Sequence, residues 1–249
     1  TIVHNCQPVS IAGLQKGFDD ARSNVFWKIL EITNHIKPRV VILENVKNLK
    51  SHDEGRTFKT ICDNISQIGY CMQYKILNTS NLTNIPQNRE RIYMVCFRDA
   101  QDNRLFTFDC NATDTRKLTF DELLEKNVDD KYYYGPHLKI WDTIKTGVTK
   151  ENTFYQYRRY YVRENKNGVC PTLTSCMGVG GHNVPLIKDN VGIRKLTPRE
   201  CFNLQGFPSD FKLPQISDGG LYKLVGNAVS VPVVKKIADM VVSVFDKST

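Results

Sequence analysis

The segment Arg39-Val40-Val41-Ile42-Leu43-Glu44-Asn45-Val46 joins four consecutive apolar residues to a carboxylate and an amide. A short apolar run rich in β-branched side chains predicts a buried β-strand, here over residues 39–43. Glu44 follows where this strand is expected to end. A carboxylate at that place is either a surface residue of the strand end or a group that takes part in chemistry.

Helices are predicted on both sides of this strand. Phe58 to Ile68 carries apolar residues at helical spacing, Gly69 lies just past its end, and strands are predicted at 72–77 and 92–97. This alternation predicts an α/β sheet, in which ligands bind beyond the carboxyl ends of the strands, where Cys6 and Glu44 both fall. The preceding helix stops at Pro38 and has apolar residues at helical spacing, namely Val25, Phe26, Ile29, Leu30, Ile32 and Ile36.

The middle of the chain, from about Asp99 to Val191, lacks this periodicity and is rich in tyrosine, glycine and polar residues. It predicts a second, smaller and loop-rich domain. Thr197-Pro198-Arg199-Glu200 then has the residues of a capped helix start. Apolar residues on one face from Val233 to Val244 predict a terminal helix that packs back on the first sheet.

Composition narrows the class of protein. A chain of 249 residues with 41% hydrophobic content indicates a folded protein rather than a disordered or membrane-spanning one. The net charge of +8 favours a polyanionic partner. The eight cysteines include no Cys-x-x-Cys pair, so we predict no metal site, no disulfide framework and a reducing, cytoplasmic location.

One cysteine lies in a polar loop near the beginning of the sequence, within Asn5-Cys6-Gln7-Pro8. A lone cysteine is more often a small buried hydrophobe than a nucleophile. Three later segments favour the nucleophile: Glu44-Asn45-Val46, Gln87-Asn88-Arg89-Glu90-Arg91, and Gly226-Asn227-Ala228, which is expected to open a helix. In this order they resemble the motifs of the C5-cytosine DNA methyltransferases, and the resemblance covers nearly the whole chain.

The resemblance implies a set of catalytic residues. Cys6 would add to carbon 6 of cytosine, because carbon 5 is a poor nucleophile until this addition makes an enamine. Glu44 would hydrogen-bond the ring nitrogen and the amino group of the base. Arg91 would contact the base carbonyl and Arg89 the phosphate, and alternation along one strand would place both arginines on one face. Asn45 and Gln87 match motif positions that we expect to be structural.

The resemblance also implies contacts with DNA and with S-adenosyl-L-methionine. The target base must be flipped out of the duplex, and the mobile loop that begins at Cys6 would close on the DNA through Gln7 and Ser10. Thr172 matches a phosphate contact of the recognition domain. Arg158, Arg159 and Arg163 are either base or phosphate contacts or ordinary solvated charges. Asn227 and Ala228 lie where the last motif of the family lines the cofactor pocket.

The sequence departs from the family in two places. Asn5 replaces the proline that precedes the nucleophile, which puts the catalytic geometry in question because proline fixes φ. The Phe-x-Gly-x-Gly-like loop that binds most of the cofactor does not precede Cys6. We therefore expect this chain alone to bind the cofactor weakly or not at all. We expect either a split enzyme completed by a small polypeptide with the missing strands or a truncated product.

These inferences combine into one prediction. The fold is α/β, an incomplete Rossmann-like methyltransferase sheet with helices on both faces plus a loop-rich target-recognition domain. The domains are 1–108 (partial catalytic), 109–212 (recognition) and 213–249 (hinge and terminal helix). The function is methylation of C5 of a flipped cytosine in a specific sequence of double-stranded DNA, in a restriction-modification system.

Two other functions compete with this prediction. A non-catalytic DNA-binding remnant would keep the recognition domain without turnover. A tRNA cytosine methyltransferase is less favoured, because the long recognition region suits duplex DNA and the Cys-Phe-Thr segment of those enzymes is not found.

Overall fold

The computed structural model describes residues 24–110, 116–178 and 184–247. Cys6, Gln7 and Ser10 lie outside these ranges. Within them the chain forms two compact units. The first unit contains residues 24–78, 90–110 and 234–247, and the second contains residues 79–89, 116–178 and 184–233.

Nine helices and seven strands follow one another in the described ranges. Their bounds are α1 (Asn24–Ile36), β1 (Val40–Val46), α2 (Arg56–Gln67), β2 (Cys71–Asn78), α3 (Thr79–Leu82), β3 (Glu90–Phe97), α4 (Ala100–Leu105), α5 (Phe120–Leu123), α6 (Trp141–Gly147), β4 (Phe154–Arg158), β5 (Tyr161–Asn165), β6 (Leu186–Lys188), β7 (Ile193–Lys195), α7 (Pro198–Leu204), α8 (Asp218–Asn227) and α9 (Val231–Lys247).

The first unit contains a three-stranded sheet in the order β1-β3-β2. Both β1 and β2 run antiparallel to β3 and are therefore parallel to each other. The helix α2 makes the crossover between the two parallel strands, whereas only residues 79–89 connect β2 to β3, a length that suits an antiparallel return. The predicted α/β class is confirmed. The Rossmann-like arrangement, which is mainly parallel, remains a prediction.

The core of the first unit forms where the apolar faces of α1 and α2 pack with the apolar run of the sheet. Phe26, Ile61, Val41 and Met94 belong to this buried cluster. The helix α1 ends at Ile36, just before Pro38, as the sequence predicts, and Gly69 has a positive φ of 84°. The strand β1 continues to Val46, so Glu44 lies inside a strand that was expected to stop at Leu43.

The second unit contains a four-stranded antiparallel sheet in the order β5-β4-β6-β7. Strands of three to five residues do not give a clear periodic pattern, which explains why the sequence indicated loops here. The capping box of α7 is confirmed: the Glu200 amide donates to Thr197 Oγ1, and the Thr197 amide donates to Glu200 Oε2 at 2.8 Å.

The segment that begins at Gly226 was expected to open a helix. Gly226 and Asn227 instead end α8, and α9 begins at Val231. Within the described residues no helix is long and apolar enough to span a bilayer. The predicted domain boundaries, after residues 108 and 212, remain a prediction.

Candidate active site

Glu44 and Arg91 form a buried ion pair on neighbouring strands of the first unit. Glu44 lies opposite Tyr93 and Val46 lies opposite Arg91, so Glu44 and Arg91 are diagonal neighbours on one face of the sheet. Arg91 Nε lies 3.2 Å from Glu44 Oε1. The side chains are 10% and 0% exposed, respectively. The register of two strands therefore brings together two residues that are 47 positions apart in the chain.

Because the Glu44 carboxylate is buried, its stability depends on the groups that surround it. Removing a carboxylate from water is costly unless a cation and hydrogen bonds compensate for the lost hydration. Arg91 provides the cation, and its Nη1 is tethered to the Glu90 carbonyl at 2.8 Å. A carboxylate held in this way is suited to exchange a proton with, or to accept a hydrogen bond from, a polar ligand. The surface-residue interpretation of Glu44 does not fit its burial.

Arg89 is placed differently from Arg91. The strand β3 begins at Glu90, so Arg89 precedes the strand and belongs to the second unit. Arg89 is 1% exposed and donates to the carbonyls of Leu173 (2.9 Å), Gly226 (3.3 Å) and Ala228 (2.7 Å). These main-chain contacts suit a positioning role for Arg89 within the second unit, and its common face with Arg91 and its phosphate contact remain predictions.

The two amides that we expected to be structural are buried. The Asn45 Oδ1 accepts from the Val46 amide at 2.8 Å. Gln87 is 0% exposed, donates to the Leu204 carbonyl at 2.6 Å and accepts from the Leu173 amide at 3.4 Å. The Asn45 bond stays within its own strand, whereas the Gln87 bonds tie the segment before β3 to the interior of the second unit. Both are in agreement with a structural role.

The segment 226–228, which carries the predicted cofactor residues Asn227 and Ala228, packs against the segment of Thr172. A Cβ added to Gly226 would lie 2.2 Å from the carbonyl carbon of Thr174, so only glycine permits this approach. Thr172 Oγ1 donates to the Asn88 carbonyl at 2.5 Å. The predicted phosphate contact and the predicted cofactor residues thus lie on two segments that the second unit holds together.

Residues 5–243 match the family model described as C-5 cytosine-specific DNA methylase. The chain belongs to this family. The predicted family and enzyme class, DNA (cytosine-5-)-methyltransferase, are confirmed.

Several relatives are named Type II methyltransferases. The chain is 48% identical to M.Bsp6I of Bacillus sp. (strain RFL6), with 94% of this chain and 75% of the relative covered. It is 36% identical to M1.ScrFI of Lactococcus lactis subsp. cremoris, with coverages of 98% and 61%. It is also 36% identical to M.SsoII of Shigella sonnei, with coverages of 97% and 62%. The chain therefore spans less than two thirds of two of these relatives.

Solved structures of methyltransferases share the fold. The Entamoeba histolytica methyltransferase EhMeth aligns with a TM-score of 0.68 at 19% identity, covering 99% of this chain and 77% of EhMeth. The Schizosaccharomyces pombe Dnmt2 methyltransferase aligns with a TM-score of 0.67 at 17% identity, covering 98% of this chain and 77% of that structure.

Three of the seven described cysteines are fully buried. Cys96, Cys170 and Cys201 are 0% exposed, and burial raises the pKa of each thiol above its usual value. A thiol in such surroundings is a poor nucleophile. Cys6 remains the predicted nucleophile and lies outside the described residues.

Arg158 and Arg159, predicted as possible DNA contacts, lie at the end of β4 and in the turn that follows it. Both are exposed, and Arg159 has a positive φ of 51°. The motifs did not indicate Gln156 and Gln205, two buried amides of the second unit. Gln205 donates to the Val225 carbonyl at 2.9 Å and supports the segment of Asn227. A lone glutamine outside a motif carries no signal of burial in a sequence.

Proposed function

We propose that this methylase transfers a methyl group from S-adenosyl-L-methionine to C5 of a flipped cytosine in a specific sequence of duplex DNA. The observation that carries the proposal is the buried Glu44–Arg91 pair, with its 3.2 Å separation. A carboxylate and a guanidinium held side by side can hydrogen-bond the donor and acceptor edge of one base. The names of the relatives support a place in a Type II restriction-modification system, in the bacterial cytoplasm.

The proposed reaction begins with the Cys6 thiolate. The thiolate adds to carbon 6 of cytosine, a protonated Glu44 donates its proton to the ring nitrogen and so neutralises the negative charge that would develop there, and carbon 5 becomes nucleophilic. S-adenosyl-L-methionine, when bound, supplies the methyl group on a positively charged sulfonium. After transfer, a proton acceptor such as water or hydroxide removes the C5 proton, the Cys6 thiolate leaves carbon 6, and the ring nitrogen returns its proton to Glu44, which restores the ring. Arg91 keeps Glu44 oriented and contacts the base carbonyl.

The cofactor is proposed to lie against the end of α8. Asn227 and Ala228 are half-buried, and Arg89 and Gln205 hold the carbonyl of Ala228. Ser230 is 0% exposed, and its Oγ has no hydrogen-bond partner within the described part of the chain. A side-chain amide and a buried hydroxyl suit a ligand with amino, carboxylate and hydroxyl groups. We assign to these residues a share of the cofactor site.

DNA is proposed to bind the second unit, through Thr172 and the exposed arginines, and the loop of Gln7 and Ser10. The positive net charge of +8 supports a polyanionic partner. Extrusion of the target base is required because the Glu44–Arg91 pair cannot reach a base that remains stacked in a duplex. A separate small polypeptide that completes the cofactor site is the alternative arrangement.

Methyl transfer tests this function. The purified chain is incubated with S-adenosyl-L-methionine labelled in its methyl group and with mixed-sequence duplex DNA, and the labelled base is identified after digestion. We expect 5-methylcytosine with the wild-type chain and none with Cys6→Ser. Transfer that needs an added polypeptide carrying the Phe-x-Gly-x-Gly loop would establish the split arrangement. Duplex binding without transfer under both conditions would contradict the proposal and favour the DNA-binding remnant.

A further inference from the structure

The hairpin of β4 and β5 presents arginines on one face. Its two strands are joined by the two-residue turn Arg159-Tyr160, and Gln156 lies opposite Arg163 across the strands. Directly opposite residues share a face of an antiparallel pair, as do residues two apart on one strand. Gln156, Arg158 and Arg163 therefore lie on one face.

The side-chain amide of Gln156, which is buried, positions the arginines on this face. Gln156 is 7% exposed, although the two arginines beside it are exposed. Its Oε1 accepts from Arg163 Nη2 at 2.7 Å and from Arg158 Nη2 at 3.4 Å. Arg163 Nη2 also donates to Asn165 Oδ1 at 3.2 Å. Arg163 is the better oriented of the two guanidinium groups.

The opposite face of the hairpin fixes its position. Tyr155 and Tyr157 on that face are 0% and 8% exposed and pack in a cluster with Ile144 and Leu186. Glu164, opposite Tyr155, pairs with Lys150 at 2.9 Å. Glu164, the carboxylate of this hairpin, therefore lies on the face opposite the arginines and is paired there with Lys150.

The charge of the arginine face is not compensated. Within the part of the chain that the structure describes, no ion pair joins Arg158, Arg159 or Arg163 to a carboxylate. Arg116, another exposed arginine of the same unit, is bonded to both oxygens of Glu122. Arginines close to one another without a carboxylate repel each other, and a ligand that offers oxygen or nitrogen acceptors relieves this repulsion.

We infer that Arg163, oriented by Gln156, reads a guanine in the major groove and sets one position of the DNA sequence that this methylase recognises. The inference rests on the proposed function. Guanine presents two acceptors in the major groove, O6 and N7, and arginine is their most common partner. Within the described residues Arg163 Nη1 makes no hydrogen bond, so this terminal amino group remains to donate to the base. Gln156 is a positioning residue, because it acts through Arg163.

A selection experiment tests this role. Duplexes that carry one 5-fluorocytosine flanked by randomised base pairs are incubated with the chain and S-adenosyl-L-methionine, and the covalently captured duplexes are sequenced. With Arg163→Ala we expect the preference for guanine at one position to fall by about tenfold to a hundredfold, with the other positions unchanged. Arg116→Ala, a matched loss of one exposed charge in the same unit, should leave every preference intact.

Two further measurements separate base contact from folding and from phosphate contact. Replacing the guanine by 7-deazaguanine should weaken capture by the wild-type chain and not by Arg163→Ala, since only the former has an N7 contact to lose. Gln156→Met should reduce the same preference and no other. The inference would be overturned if Arg163→Ala left all base preferences unchanged. It would also be overturned if this variant lost the same affinity for every sequence, which is the result expected of a phosphate contact.

Failure of the proposed function gives a different result. If the wild-type chain forms no adduct, the same variants are compared by selection for duplex binding alone. Loss of the guanine preference there still supports Arg163 as the reader, and its retention refutes that role.

Discussion

At the scale of the residue, the proposed catalysis depends on the buried ion pair of Glu44 and Arg91. Breaking a buried ion pair by removing one charge leaves the other without compensation, which destabilises a protein by about 3–5 kcal/mol. An exposed pair contributes about 1 kcal/mol or less. The first unit contains both kinds of pair, because Lys47 and Glu90 form an exposed pair beside the buried one.

Glu44→Gln should therefore abolish function and lower stability together. We expect methyl transfer to fall by about a hundredfold to ten-thousandfold, because the amide cannot exchange a proton with the base. The free energy of unfolding should fall by about 3 kcal/mol, since Arg91 remains buried beside a neutral group. Transfer is measured with labelled cofactor, and stability by denaturant unfolding.

Glu90→Gln is the matched control. It removes one carboxylate from the same strand pair, but from an ion pair whose carboxylate side chain is 38% exposed. Its transfer rate and stability should stay close to those of the wild-type chain. Equal effects of the two substitutions would show that Glu44 has no special role.

At the scale of the element, the segment 226–228 depends on one glycine. Gly226 lies so close to the main chain of Thr174 and Ser175 that a Cβ would overlap both residues. Arg89 then bonds the carbonyls of Gly226, Ala228 and Leu173 across this contact. The end of α8 and the loop of Thr172 are therefore held together.

Gly226→Ala should separate these two segments. We expect a loss of about 1–3 kcal/mol in the free energy of unfolding, the usual cost of overpacking, and weaker binding of both DNA and S-adenosyl-L-methionine. Gly219→Ala is the control, because Gly219 lies in the same helix and a Cβ there would meet nothing within 4 Å. Similar stabilities for the two variants would contradict the close approach at Gly226.

The elements also show what a sequence can predict. The limits of α1 and α7 follow from Pro38 and from the capping box of Thr197 and Glu200, which act over a few residues. The strand that carries Glu44 follows from its apolar run. The hydrogen-bond partners of Arg89 cannot be predicted from nearby residues, because Leu173 and Ala228 are 84 and 139 positions away in the chain. The motifs indicated which residues belong to the candidate site. Their partners follow from long-range packing: Arg89 bonds main-chain carbonyls of the second unit, and Arg91 pairs with Glu44.

At the scale of the whole molecule, each of the two compact units has buried apolar clusters of its own. Cys96 is buried in the core of the first unit, and Cys170 and Cys201 are buried in that of the second. Burial raises the pKa of all three thiols, so the reactive thiolate is scarce in the native state. Alkylation of these cysteines therefore requires local or global unfolding.

Alkylation by iodoacetamide at pH 8, followed by mass spectrometry of peptides, should measure the two cores independently. We expect the three buried cysteines to react more slowly than the half-buried Cys71 by on the order of a hundredfold or more. Gly226→Ala should accelerate the reaction of Cys170 and Cys201 much more than that of Cys96. Equal acceleration at all three sites would show that the two units unfold as one.

The most direct test of the central claim is to identify the residue that becomes covalently joined to the base. A duplex containing 5-fluorocytosine in a captured sequence is incubated with the chain and S-adenosyl-L-methionine, because fluorine at C5 cannot leave as a proton does and the adduct persists. Digestion and mass spectrometry should locate the nucleotide on the peptide of Cys6, and Glu44→Gln should greatly slow its formation. An adduct on another cysteine, or an adduct that forms as rapidly without the Glu44 carboxylate, would contradict the account.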